Sequence, residues 1–162
     1  MGDREFTISP IGKIAVNDED FKLLIDEPFR PALLELDAFS HINVVWWCHL
    51  LDSPDYRSMT VSHTPYRDAP DEIGIFATRS PVRPNPVALT TVMVLAIDHD
   101  AGAITVPYID AEDGTPIIDI KPYHPSIDRV RDVRMPEWCA GWPQWYEDSA
   151  TFDWDAVFEN AQ

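Results

Sequence analysis

The apolar positions of this chain fall in short blocks separated by prolines and polar turns. Ile42–Leu51 is a ten-residue block rich in Val, Ile and Trp, and its length and β-branching predict a buried strand. Val87–Ile97 reads VALTTVMVLAI and predicts a central strand. Asp98–Gly102 follows as a turn, Ala103–Ile109 as its hairpin partner, Asp110–Gly114 as a second turn and Thr115–Lys121 as the next strand. Three strands joined by such short connections predict an antiparallel meander, because no crossover helix fits between them. Phe6–Ile14, carrying Pro10, reads as an edge strand, Asn17–Asp20 as a polar turn, and Phe21–Ile25 and Glu72–Phe76 as short strands. Pro28–Asp37 has room for a single helical turn, and Ser53–Pro70 reads as a long exposed loop. Near the end, Trp154, Val157 and Phe158 fall at helical spacing. The expected fold is mostly β: one antiparallel, barrel-like domain, with short helical segments near Pro28–Leu36 and Asp153–Asn160.

Composition supports this picture. The chain has 162 residues, 45% of them hydrophobic, enough for one domain with a core of its own. Its 15 prolines against 6 glycines imply many loops between short elements. Cys48 and Cys139 show no zinc-site spacing, no metal is expected, and two separate thiols suit a cytoplasmic protein. No apolar run reaches a membrane span, the longest being interrupted by Asn43 and His49, and no basic-then-apolar leader is visible. The net charge of −16 opposes general binding of polyanions but leaves room for a local basic groove.

Three segments carry candidate chemistry. Gly74–Pro86 reads GIFATRSPVRPNP. It holds Arg79 and Arg83 with Thr78, Ser80 and Asn85, among three prolines that restrict the backbone. A stiff loop of this kind suits fixed recognition of a polar ligand, since arginine grips a carboxylate with two parallel hydrogen bonds. The alternative is that both arginines balance nearby acids. In Asp113–Tyr123, Asp119 and Lys121 sit two apart and share one face of a strand, with Ile118 and Ile120 on the other. They form either a structural ion pair or part of a pocket wall. The third segment, Phe39-Ser40-His41, puts a histidine at a strand start, where it is more often a hydrogen-bonding anchor than a catalyst.

FATRSPVRPNP, the β-branched strand after it and DGTPIIDIKPY together resemble the TrmO/TsaA-like family, and LELDAFSHINVVWWCH resembles that family's FSH segment. The matches cover roughly Phe6–Pro125. The resemblance implies a β-barrel methyltransferase using S-adenosylmethionine, working as a homodimer with cofactor sites near the subunit interface. It implies as its reaction the N6-methylation of threonylcarbamoyl-adenosine in the tRNA anticodon loop. Carried over by motif position, the cofactor residues are Phe76, Ala77, Thr78, Arg79, Ser80, Arg83, Asn85, Asp113, Gly114, Thr115 and Lys121, with His41 nearby. Asp119 and Tyr123 are the catalytic candidates, Asp119 to offset sulfonium charge or hold the nucleophile and Tyr123 to orient the acceptor nitrogen. In domain terms, 1–135 forms the catalytic β-barrel, and 136–162 is an aromatic-rich extension packing on the barrel or on a dimer partner.

The chain departs from the family at several points. A proline-arginine-glutamine segment is not visible between Ile14 and Phe29, Ala88 stands where a glycine is common, and an aromatic tail replaces the longer members' extra domain. A tRNA substrate would be held by a local patch, with Arg129, Arg131 and Arg134 as its candidates unless they balance Asp128, Asp132 and Glu137. The competing readings are a methyltransferase for a small molecule and a non-catalytic S-adenosylmethionine-binding module.

Overall fold

In the computed structural model, which describes residues 6–17 and 20–160, the short apolar blocks become strands. They are β1 (Gly12–Val16), β2 (Phe21–Ile25), β3 (His41–Trp47), β4 (Val61–His63), β5 (Glu72–Gly74), β6 (Val87–Met93), β7 (Ala96–Asp98), β8 (Ala103–Val106) and β9 (Pro116–Pro122). Two single-turn helices, α1 (Pro54–Arg57) and α2 (Pro125–Asp128), accompany them. The middle of the expected turn Asn17–Asp20 lies outside the described residues. Among the described residues no helix is long and apolar enough to cross a membrane. The molecule is mostly β.

Contacts divide the chain into two compact units. The first takes the residues up to Leu50 together with Pro86–Arg129; the second takes Leu51–Asn85 and the chain from Val130 onward.

The first unit holds a seven-stranded sheet in the order β6-β3-β9-β1-β2-β8-β7, every neighbouring pair antiparallel. This corrects three expectations. The meander is absent, because β9 pairs with β3 and β1 and lies three places from β8. β1 is an interior strand, starting at Gly12 rather than Phe6, and β6 ends the strand order instead of lying centrally. The described strands also form an open ladder, with no pairing between β6 and β7, so the barrel is not closed among them. Turn lengths told which strands were joined. Side-chain packing chose which strands were paired, and β3 took a partner on each edge from far along the chain.

Alternate residues of these strands bury an aliphatic core. Ile14, Leu23, Ile42, Val44, Val92, Ile104 and Ile117 are all fully buried in one cluster. Each such side chain contributes about 1.5–3 kcal/mol relative to exposure. Close approach of β1 to β2 requires Gly12, where an added Cβ would lie 2.1 Å from the Leu24 carbonyl oxygen. The expected turn at Asp98–Gly102 forms, with Gly102 at φ +70° and the Ala101 N–H donating to Asp98 Oδ1 at 2.9 Å. The Pro28–Asp37 segment is helical as expected, but as 3-10 turns over Glu27–Leu33 and Leu36–Ala38. Pro28 and Pro31 lack the N–H groups that a longer α-helix needs.

The described residues of the second unit form the β4–β5 ribbon, α1 and a set of tight turns. The Ser53–Pro70 segment is thus not a plain loop, since it carries α1 and β4. Its interior is aromatic. Tyr66 stacks on Trp138 with ring centroids 5.2 Å apart and meets Trp142 edge-on at 5.1 Å and Phe158 at 5.8 Å. Trp154 packs on Trp142, Phe152 and Phe158. The helix expected at Asp153–Asn160 does not form. The N–H groups of Val157 and Phe158 share the Trp154 carbonyl, and Phe158 then bridges to Tyr66 while Arg67 donates to the Val157 carbonyl at 2.9 Å. One turn of helix is weak by itself, and the bridge takes the backbone groups it would have used.

Candidate functional site

In the first unit, strand register gathers four of the candidate residues. Paired residues of antiparallel neighbours point to the same face. His41 pairs with Met93; Asn43 lies between Thr91 and Lys121; Val45 lies between Leu89 and Asp119. These rows form the face of β6-β3-β9 opposite to the one on which Ile42, Val44 and Val92 enter the core. Leu89 and Met93 are exposed on it.

A bulge decides which side chains of β9 reach this face. Register slips between Val45 and Trp46, so that Val45 pairs with Asp119 but Trp46 with Ile117. In an unbroken strand Ile117, Asp119 and Lys121 would share a face. The extra residue turns Ile117 into the core and leaves Asp119 and Lys121 outside. The expected shared face for Asp119 and Lys121 is present, Ile120 opposite Val44 packs on the core as expected, and Ile117 rather than Ile118 is the fully buried isoleucine. Lys121 Nζ lies 2.7 Å from Asp119 Oδ2, and the carboxylate beside it raises the Lys121 ammonium above its ordinary value. The Ile120 N–H also donates to Asp119 Oδ1 at 2.9 Å.

Tyr123 comes just after β9. Its N–H donates to the His41 carbonyl at 3.0 Å, and its ring meets the imidazole edge-on with centroids 6.4 Å apart. Ser40 Oγ lies 2.9 Å from His41 Nδ1. His41, Asp119, Lys121 and Tyr123 therefore sit together around one end of β9.

Asp113, Gly114 and Thr115 do not join them. They precede the opposite end of β9, and six residues of strand from Thr115 to Lys121 span roughly 20 Å. Their polar groups tie the turn to β1. Asp113 Oδ1 accepts from the Val16 N–H at 3.0 Å, and the Gly114 N–H donates to the Ile14 carbonyl at 2.8 Å. Gly114 holds φ +79°, and Thr115 is buried with its hydroxyl 3.5 Å from His49 Nδ1.

The arginine loop belongs to the second unit. It opens with the 3-10 turn Ile75–Ala77 and continues through a run of local hydrogen bonds. The Thr78 hydroxyl donates to the Ile75 carbonyl at 2.9 Å, the Ser80 N–H to Thr78 Oγ1 at 3.2 Å, and the Val82 N–H to Ser80 Oγ at 3.2 Å. With three prolines, these bonds stiffen the loop. Arg83 folds back, its Nη1 3.5 Å from the carbonyls of Thr78 and Ser80. Arg79 is exposed, and its main-chain N–H donates to the Tyr66 hydroxyl. Burial in the aromatic cluster pushes the Tyr66 phenol up, while that N–H pulls the other way. Phe76, Ala77 and Asn85 are exposed along the same loop.

Arg129, Arg131 and Arg134 are all exposed, and among the described residues none forms an ion pair within 4.0 Å. Asp128, one of the acids expected to balance them, is turned elsewhere, with Oδ1 on Asn43 Nδ2 at 2.9 Å and Oδ2 on the His124 N–H at 2.6 Å.

Sequence reasoning missed Tyr66 and Asn43. Asn43 had a visible signal, a polar residue inside the apolar run Ile42–Leu51. Tyr66 had none, because its importance comes from aromatics some 70 to 90 residues further along the chain.

A protein from Methanothermobacter thermautotrophicus described as a probable S-adenosyl-L-methionine-binding protein is 34% identical over 144 residues, 80% of this chain and 98% of its own. The human tRNA (adenine(37)-N6)-methyltransferase is 35% identical over 105 residues, 65% of this chain but 23% of that enzyme. The crystal structure of TrmO from P. aeruginosa superposes with a TM-score of 0.64 at 27% identity, covering 84% of this chain and 62% of that one. This chain thus spans less than two thirds of both methyltransferases. The family model for the tRNA-methyltransferase O N-terminal domain matches residues 4–129, a span that contains the arginine loop and all of β9, and the chain belongs to that family.

Proposed function

We propose that the protein is an S-adenosylmethionine-dependent methyltransferase that acts on N6 of an adenosine in tRNA, the threonylcarbamoyl-adenosine of the anticodon loop being the acceptor in view. The observation that carries this reading is the loop Phe76–Asn85, rigid by its own hydrogen bonds yet exposing an aromatic ring, a guanidinium and an amide. S-adenosylmethionine bears an adenine, a carboxylate and a sulfonium, and this donor set fits it. Phe76 offers a face to the adenine, Arg79 a fork to the carboxylate, and Asn85 an amide to the ring edge or ribose. Ala77, Thr78, Ser80 and Arg83 hold the loop in shape.

The cofactor supplies a methyl group already activated on sulfonium sulfur. What the chain must add is position and a path for one proton. The acceptor nitrogen forms the new N–C bond as the S–C bond breaks, sulfur keeps the electron pair, and the nitrogen releases its proton. Tyr123, seated on His41, orients the nitrogen. Asp119 faces the developing positive charge and receives the proton, and the Lys121 ammonium 2.7 Å away orients its carboxylate. Arg129, Arg131 and Arg134, exposed and without an ion pair among the described residues, meet phosphates, against the repulsion of a chain carrying −16. The enzyme works in the cytoplasm as a homodimer, with exposed Trp145 and Tyr146 of the tail as contact surface.

Transfer of tritiated methyl from S-adenosylmethionine to total tRNA, run beside small-metabolite extracts, tests the reading. Label in tRNA supports it; label in a metabolite alone transfers the reading to a small acceptor; label in neither leaves a binding module. Arg79→Ala should weaken cofactor binding by about 1.5–3 kcal/mol, the size of a hydrogen bond to a charged group, and Arg83→Ala should weaken it by loosening the loop. Unchanged calorimetric affinity in both variants would remove the loop from the site. Each lost phosphate contact should lower the log–log salt slope of tRNA affinity by about 0.7–0.9.

A further inference from the structure

Asn43 is an expensive residue to place where it is. It lies at the centre of β3, more than nine-tenths buried, in a row where a valine would pack without polar groups to satisfy. Both ends of its amide are engaged. The Thr91 hydroxyl of β6 donates to Asn43 Oδ1 at 2.7 Å, and Asn43 Nδ2 donates to Asp128 Oδ1 of α2 at 2.9 Å. Only this orientation works, since a flipped amide would set its oxygen against the carboxylate. The other oxygen of Asp128 accepts from the His124 N–H at 2.6 Å. A relay thus runs from β6 through β3 to the segment beyond β9. Tyr123 lies between its two fastenings, the His41 carbonyl on one side and the Asp128–His124 clamp on the other.

We propose that Asn43 is a positioning residue for the acceptor side of the site: through Asp128 it fixes the segment Tyr123–Asp128 and so holds the Tyr123 ring against His41. The geometric part stands by itself; its effect on turnover rests on the methyltransferase reading.

The relay allows a reciprocal test. Asn43→Asp opposes two carboxylates and breaks it. Adding Asp128→Asn restores every bond with the partners exchanged. The Thr91 hydroxyl and the new amide on α2 would both donate to the new carboxylate on β3, and the His124 N–H would donate to the oxygen of that amide. Two readouts are taken on each variant: kcat for methyl transfer at saturating cofactor, and the displacement of the His41 imidazole signals by the Tyr123 ring in nuclear magnetic resonance spectra. Asn43→Asp should lower kcat at least about tenfold and abolish the displacement, with S-adenosylmethionine affinity within about twofold of wild type; the double variant should recover both readouts to within about threefold. Wild-type kcat and His41 signals in Asn43→Asp overturn the proposal, and so does a double variant that fails to recover. If Asn43→Asp does not fold, the double variant and Thr91→Val, which should show an intermediate loss in both readouts, decide in its place. If the wild type methylates nothing, the methyltransferase reading fails while the His41 signals still decide the positioning.

Discussion

The two compact units reach stability by different means. The first buries isoleucine, leucine and valine from alternate positions of paired strands. The second, short of strands, packs Tyr66, Trp138, Trp142, Trp154 and Phe158 ring against ring. An aliphatic core needs periodicity, because each small side chain must meet a matching neighbour across the ladder. Proline-broken chain cannot keep that period, and a few large rings of roughly 150–250 Å² each replace it. Tyr66 does two jobs there, centring the cluster and holding the main chain of Arg79. The second unit therefore joins its aromatic cluster to the arginine loop at one residue, whereas the first keeps its core and its outer sheet face apart.

The largest break should come in the aliphatic core. Leu23→Ala, at a fully buried site, should destabilise by about 3–4 kcal/mol in chemical denaturation. Next comes Gly12→Ala, whose Cβ would strike backbone at 2.1 Å and should cost about 3 kcal/mol. Gly114→Ala meets nothing within 4 Å and bears only the strain of φ +79°, so about 1 kcal/mol is expected. Equal losses at the two glycines would show that backbone contact is not what Gly12 avoids.

Tyr66→Phe keeps the rings and removes the hydroxyl that receives the Arg79 N–H. It should cost about 1 kcal/mol in stability and lower S-adenosylmethionine affinity about fivefold by calorimetry. A loss of stability with no loss of affinity would separate the two jobs. The same phenol sets a pH limit. Its folded pKa is raised by burial, so the stability it confers is present in full below the ordinary tyrosine value and is lost as pH rises beyond it. Tryptophan emission should report alkaline loosening in wild type that Tyr66→Phe shifts to higher pH. Smallest of all is Asp119→Asn. It should return the Lys121 ammonium toward its ordinary value in a titration followed by magnetic resonance, with the denaturation midpoint at neutral pH unmoved, since the pair is exposed.

Much of this was determined by the sequence alone. Strand character, the turns at Gly102 and Gly114, the stiffness of the arginine loop and the shared face of Asp119 and Lys121 are local properties, set by β-branching, positive φ, proline geometry and a two-residue period. The motifs FATRSPVRPNP and DGTPIIDIKPY carried the family. Strand order, the interior place of β1 and the bulge at Ile118 were decided only in three dimensions, because pairing depends on what each strand can bury against partners far along the chain. The same holds for the tail. Helical spacing at Trp154, Val157 and Phe158 predicted a helix, and the bridge to Tyr66 won because a single helical turn gains less from its own hydrogen bonds than from packing Phe158, with Trp154 stacked on it, against a distant tyrosine. Asn43 shows the boundary most clearly. Its polarity inside an apolar strand was legible as an anomaly, but its partners, Thr91 and Asp128, lie 48 and 85 residues away, and only the folded sheet brings them within hydrogen-bonding reach.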